Sequence, residues 1–244
     1  MQRIAPVFAL LLLVSMALAQ ARADDLDDAK LAQRCPGFAA WQSAHPELPK
    51  KNRVKSVDLS RPTDPALRQQ LLDMAKSDQA ARDAWNKAGM KTGQGKDSVS
   101  MKVMAVDADH LRQLKPIIDR DGFPTPSRVG ADGVDAAFLL VQHADMDSAF
   151  QSHVLPQLES LGKQNLVSAQ QVALLTDRVL RAEDKPQRYG TQFMTDDNSA
   201  GMKLQPTEDI EHVDARRLDM GLPPLADYAC ILSVVYDKPF KLKP

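Results

Sequence analysis

Three short stretches hold the residues best suited to chemistry. In "LLVQHADMDSAF", Leu139 to Phe150, His143 and Asp147 stand four residues apart. If the helix persists, that spacing puts them on one face, where the carboxylate orients the imidazole or shares a metal with it. No second histidine at helical spacing and no cysteine pair accompanies them, so no metal is assigned. Leu139, Met146 and Phe150 flank the same face and turn His143 toward apolar surroundings. There its ring nitrogens need partners whether the residue is catalytic or structural.

In "LLTDRVL", Asp177 and Arg178 interrupt an otherwise apolar helix. Adjacent helical residues point about 100° apart, so a helix packed on most sides must bury one of them. Arg178 suits a fork onto a carboxylate or phosphate; equally, the pair can tie this helix to the loop holding Asp119 and Asp121. The third stretch is "DKPQRYGTQF", Asp184 to Phe193. Strand alternation sets Gln187, Tyr189 and Thr191 on one face and Arg188, Gly190 and Gln192 on the other. Gly190 marks a bulge or a close backbone approach. Gln187, Tyr189 and Gln192 suit either hydrogen bonding to a polar ligand or satisfying buried backbone where helices meet a hairpin.

Helices must position these residues. "TDPALRQQLLDMAKSDQAARDAW" offers a cap at Thr63 or Asp64, Pro65 in the first turn, and Leu67, Leu71, Met74 and Ala81 at mostly helical spacing. After the loop "GMKTGQGKDS", a second helix is expected from Val99 to Ile118, broken or kinked at Pro116. "DRDGFPTPSRVGADG" has the punctuation of a shaped loop. Val134 to about Met146 reads as a central helix, apolar on almost every side. Two more follow, Ala149 to Leu161 and Ser168 to Ala182. "QRYGTQFMT", "DDNSAG" and "MKLQPT" form a β-hairpin from about Arg188 to Thr207. A helix stopped at Gly221 and a last apolar segment complete the chain. The expected fold is mainly α, a bundle-like set of helices with one hairpin.

Ahead of this domain, residues 63–244, lies a loosely attached region, 24–62, with helical pieces at Asp27 to Gln33 and Gly37 to Ala44 and the connector "HPELPKKNRVK". Residues 1–23 read as a signal peptide: the apolar run Ile4 to Ala19 is too short to span a bilayer, and Ala21 and Ala23 offer a cleavage site. The mature protein is therefore expected in the periplasm or outside the cell, without a membrane span. In such a compartment Cys35 and Cys230 form a disulfide. A formal net charge of −1 lacks the basic excess of a nucleic-acid binder.

"GFPTPSRVGADGVDAAFLLVQHADMD", "LLTDRVLRAEDKPQRYGTQF" and "PTEDIEHVDARRLDMGLPPLADY" together resemble an uncharacterised bacterial domain family. Its members carry a glycine-aromatic-proline loop, a Val-Gln-His-Ala segment, a Thr-Asp-Arg helix, a Gln-x-Tyr-Gly-Thr-Gln hairpin and a final Val-Asp-x-Arg-Arg helix. The resemblance runs from about Asp119 to Tyr228 and places Gly122, Pro124, Gln142, His143, Asp177, Arg178, Gln187, Tyr189, Gln192, Asp214, Arg216 and Arg217 in the family's pattern. Phe123 stands where the family more often has tryptophan. The resemblance implies membership and assigns no reaction or cofactor.

Asp214 and Arg217, three apart on a helix, are expected to pair and leave Arg216 for another partner. One arrangement gathers His143, Arg178, Tyr189, Gln192 and Arg216 or Arg217 into a pocket around the shaped loop. It suits an exported hydrolase or transferase with His143 as general acid or base, Asp147 and Asp177 in support, and Arg178, Gln187, Tyr189, Gln192, Arg216 and Arg217 binding an anionic or polar group. The other reading is a non-catalytic periplasmic module for a small molecule or protein. No nucleophile elbow, phosphate loop or paired-carboxylate signature decides between them.

Overall fold

The structure, a computed structural model, describes residues 28–48, 62–89, 98–195 and 201–242. The expected signal peptide at 1–23, much of the basic connector, and residues 90–97 and 196–200 lie outside the described residues. The described chain is mainly α, with nine α-helices and a small three-stranded sheet near its C-terminal end.

Two short helices come first, α1 (Asp28–Arg34) and α2 (Pro36–Ala44). Helix α3 (Pro65–Lys87) starts where the Asp64 carboxylate accepts a hydrogen bond from Leu67 N, with Pro65 in the first turn. Leu67, Leu71, Met74, Asp78 and Trp85 form its buried stripe. Helix α4 (Val99–Asp121) is capped by Ser98 and runs through Pro116 to Gly122. The break expected at Pro116 does not occur. Leu114 and Ile118, each 1% exposed, anchor the turns on either side and offset the lost backbone bond.

Most of the expected shaped loop is helix. Helix α5 spans Pro126–Gln142, and Gly130 alone leaves helical geometry, at φ 76° and ψ 167°. Pro126 therefore starts a helix and Gly130 kinks it, so only the short run from Gly122 to Thr125 remains as connection. A Cβ at Gly130 would lie 2.8 Å from Asp132 Oδ1, which makes this position specific for glycine. Helix α5 also ends early: His143 is its C-cap and Asp147 caps the next helix, α6 (Ser148–Lys163). Helix α7 (Ala169–Ala182) opens with a Ser168/Gln171 capping box.

Strands β1 (Phe193–Thr195) and β2 (Met202–Leu204) form the hairpin, with Phe193 opposite Leu204 and Thr195 opposite Met202. It is shorter than expected: Gln187 makes an isolated parallel bridge to Thr207, and Arg188 to Gln192 are irregular. A third strand, β3 (Phe240–Lys241), pairs parallel with β2. Between them a 3₁₀ turn leads into α8 (Val213–Asp219), followed by α9 (Leu225–Tyr236).

Helix α5 is the hub, packed against α3, α4, α6 and α7. Phe138, Val141, Leu71, Leu114, Leu158 and Leu175 fill the space between these helices, and the same core continues through Phe193, Met202 and Tyr228 to the sheet. Helices α1 and α2 join a smaller cluster on α9 through Leu31, Cys35, Ile231 and Val234. There the Cys35–Cys230 disulfide forms as expected.

Candidate functional site

Where α3, α4, α5 and α7 face one another, an apolar core gives way to charge. Asp78 and Arg82, one turn apart on α3, lie against His143 at the end of α5. His143 Nδ1 is 2.9 Å from Asp78 Oδ1, and both side chains are buried. Arg82 also reaches Asp107 of α4 at 2.6 Å. One turn further along α4, His110 Nε2 meets Ser77 Oγ at 2.9 Å. From α7, Arg178 Nη1 donates to Asp145 at 2.6 Å, and Gln151 Nε2 donates to the same carboxylate oxygen at 3.2 Å.

The environment drives the protonation states apart. Burial, and then the field of Arg82, holds the His143 imidazole down at about 4. Burial works to raise Asp78, but attraction to His143 and Arg82 outweighs it and keeps that carboxyl at about 2. Burial lifts Asp107 to about 7, reinforced by Asp78 and Asp145 and opposed by Arg82. At pH 6 the imidazole is therefore neutral, Asp78 is ionised and Asp107 largely keeps its proton.

These states select a tautomer. The buried carboxylate of Asp78 is the strongest acceptor near the ring, so Nδ1 carries the proton toward it. Arg82 Nε, 3.0 Å from Nδ1, cannot donate to a protonated nitrogen and instead donates to Asp78, at 3.2 and 3.3 Å. Nε2 then bears the lone pair. It is buried and has no hydrogen-bond partner among the described residues. A carboxylate-oriented imidazole with a free Nε2 can accept a proton, and a neutral carboxyl such as Asp107 can donate one.

The stretch around Gly190 has a different design. Asp177 is fully buried, and its carboxylate accepts from Arg188 N at 2.7 Å, Tyr189 N at 2.9 Å, and both Thr191 N and Thr191 Oγ1 at 2.9 Å. Gln187 closes the same loop: its Oε1 accepts from Gln192 N, while its Nε2 donates to Gln192 O and Gln205 O. A side-chain amide thus takes the place of a rung of sheet. Arg217, 0% exposed, donates to Tyr189 O and Pro223 O and stacks on Tyr228 at 4.9 Å. Arg216 donates to the carbonyls of Arg188, Glu208 and Asp209. Gly190 has φ +67°, and a Cβ there would lie 3.0 Å from Leu225.

Among the described residues, no hydrogen bond or ion pair joins His143 to Tyr189, Gln192, Arg216 or Arg217. Asp147 does not orient His143: because α5 stops at Gln142, Asp147 instead caps α6 and pairs with Lys115. Arg178 pairs with Asp145 rather than Asp119 or Asp121, and Asp121 engages Arg120 and Arg128. Asp214 accepts from Leu225 N instead of pairing with Arg217. Asp78, Arg82, Asp107, His110 and Asp145 escaped the sequence reading. A signal existed: Asp78 continues the Leu67, Leu71, Met74 stripe, and Asp107 and His110 continue that of Ser100 and Val103.

A model of a family of unknown function, DUF6624, matches residues 65–242, so the chain belongs to that family. The match takes in α3 and α4, which the resemblance from about Asp119 to Tyr228 left out. No curated protein and no solved structure matches the chain.

Proposed function

We propose that this protein is an exported enzyme, a hydrolase or transferase, in which His143 Nε2 is the general base and Asp107 the general acid. One observation carries the reading: Asp78 holds the imidazole by Nδ1 at 2.9 Å, while Arg82 links that pair to Asp107 on α4 at 2.6 Å, in surroundings whose burial raises that carboxyl. Structural ion pairs do not need titrating groups with inverted order, whereas acid–base catalysis uses them. Arg82 and Arg178 supply positive charge for an anionic or polar substrate group. Export is supported by the apolar run at Ile4 to Ala19 and by the Cys35–Cys230 disulfide. No helix among the described residues is long and apolar enough to cross a membrane.

The cluster meets solvent at Asp145, whose side chain is 38% exposed, and substrate enters on that side. The burial of His143 Nε2 favours a second reading, a binding module without turnover. Turnover separates the two. Mature protein assayed across chromogenic ester, amide, glycoside and phosphate substrates is expected to hydrolyse one class. The rate should rise through pH about 4 as His143 loses its proton and fall above about 7 as Asp107 does. Activity unchanged in His143→Gln, or no turnover of any class by folded protein, leaves the binding module.

A further inference from the structure

One edge of Arg178 has no hydrogen-bond partner among the described residues. The residue is 1% exposed, and Nη1 is held by Asp145. Nε and Nη2 are buried and have no hydrogen-bond partner among the described residues. These two N–H groups lie on the same side of the guanidinium and point in parallel, at the spacing of two carboxylate oxygens. The chain uses that edge in this way elsewhere. Arg68 grips both oxygens of Asp132 with Nε and Nη2, and Arg120 holds those of Asp121 at 2.8 Å each.

Two more residues with buried, unpartnered groups, Gln142 and His143, stand at the end of α5. Gln142 is 0% exposed, and both atoms of its amide lack hydrogen-bond partners among the described residues, as does His143 Nε2. Gln151 Nε2 ties this place together, donating to Gln142 O at 3.1 Å and to the Asp145 oxygen that holds Arg178. A buried guanidinium edge without an acceptor is costly, so a fold that keeps one has a use for it.

Charge selects the ligand. Arg82 and Arg178 are matched by Asp78 and Asp145, with Asp107 able to stay neutral, so the cluster tolerates one added negative charge better than two. The two oxygens of a planar carboxylate match the two parallel donors.

We propose that the Nε/Nη2 edge of Arg178 binds the carboxylate of a small ligand. This rests on the cluster being a substrate site and gives that substrate its class, a small carboxylate. Melting temperature tests it, measured on the oxidised mature protein at pH 6 in acetate, chloride and phosphate of equal ionic strength. Acetate is expected to raise the melting temperature in a concentration-dependent way. Arg178→Lys, which keeps the charge and loses the fork, should weaken that response roughly tenfold or more. Acetate and chloride acting alike, a phosphate response that depends on Arg178 more than the acetate response does, or an unchanged acetate response in Arg178→Lys each overturns the proposal. Should Arg178→Lys not fold, the Nε–H resonance of Arg178 in the wild type is followed through an acetate titration. A saturable shift is expected, and its absence overturns the proposal. Binding at equilibrium requires no turnover, so a negative result here leaves acid–base catalysis standing, and binding without turnover removes catalysis alone.

Discussion

Asp78 and His143 meet across 65 residues of sequence, Oδ1 to Nδ1 at 2.9 Å, and so join the middle of α3 to the C-cap of α5. The contact is buried on both sides, so its protonation is coupled to folding.

The first prediction follows from the imidazole. His143 stays neutral down to about 4 when folded, whereas an unfolded histidine takes up a proton near 6.5. Between those values the unfolded state binds more protons, so this group's contribution is full above 6.5 and is lost as pH falls toward 4. The loss is about 3 kcal/mol. Urea unfolding at pH 4.5 and 7 should show it in the wild type, with a smaller difference in His143→Gln.

Asp107 has the opposite sign. Its folded pKa, raised to about 7, lies above the unfolded value of 3.8, so the folded state binds more protons between them. Its contribution is full below 3.8 and is lost as pH rises through 7. In urea unfolding, Asp107→Asn should gain stability relative to the wild type between pH 5.5 and 8.5. A parallel pH dependence in the two proteins counts against a raised carboxyl.

Asp177 carries the loop that precedes the hairpin. Asp177→Ala leaves the backbone N–H groups of Arg188, Tyr189 and Thr191 without their buried acceptor. A destabilisation of roughly 3 kcal/mol or more is expected in chemical denaturation, with new protease cleavage between Gln187 and Gln192.

Gly190→Ala tests the same loop through its backbone. At φ +67°, with Leu225 3.0 Å from the new methyl, the variant should lose about 1–3 kcal/mol. A neutral result in thermal unfolding means that Leu225 yields and the loop is less constrained than its hydrogen bonds imply.

The disulfide holds a peripheral unit. Cys35→Ser with Cys230→Ser should release α1 and α2 to limited proteolysis, because their own buried cluster with α9 is small. The chain-entropy limit for so long a loop is about 5 kcal/mol. The helices from α3 to α7 should stay protected.

Local rules made much of the fold legible. Capping by Asp64, the apolar stripe of α3, the dense hydrophobicity around Phe138 and Leu175, and turn residues after β1 each announce an element through neighbours a few residues away. Punctuation misled where its meaning depends on packing. Pro116 sits inside a helix because buried side chains on both sides outweigh a missing backbone bond, and Pro126 starts one because a first-turn position has no such bond to lose.

The sequence by itself also singled out His143, Arg178 and the cysteine pair, through residue type set against an apolar background. Only the tertiary structure decided the partners of His143 and Arg178. Asp78, Arg82 and Asp107 lie on α3 and α4, far from His143 along the chain, and no local periodicity states which stripe faces which. That depends on how four helices cross, and burial at the crossing then sets which carboxyl keeps its proton and which imidazole loses it.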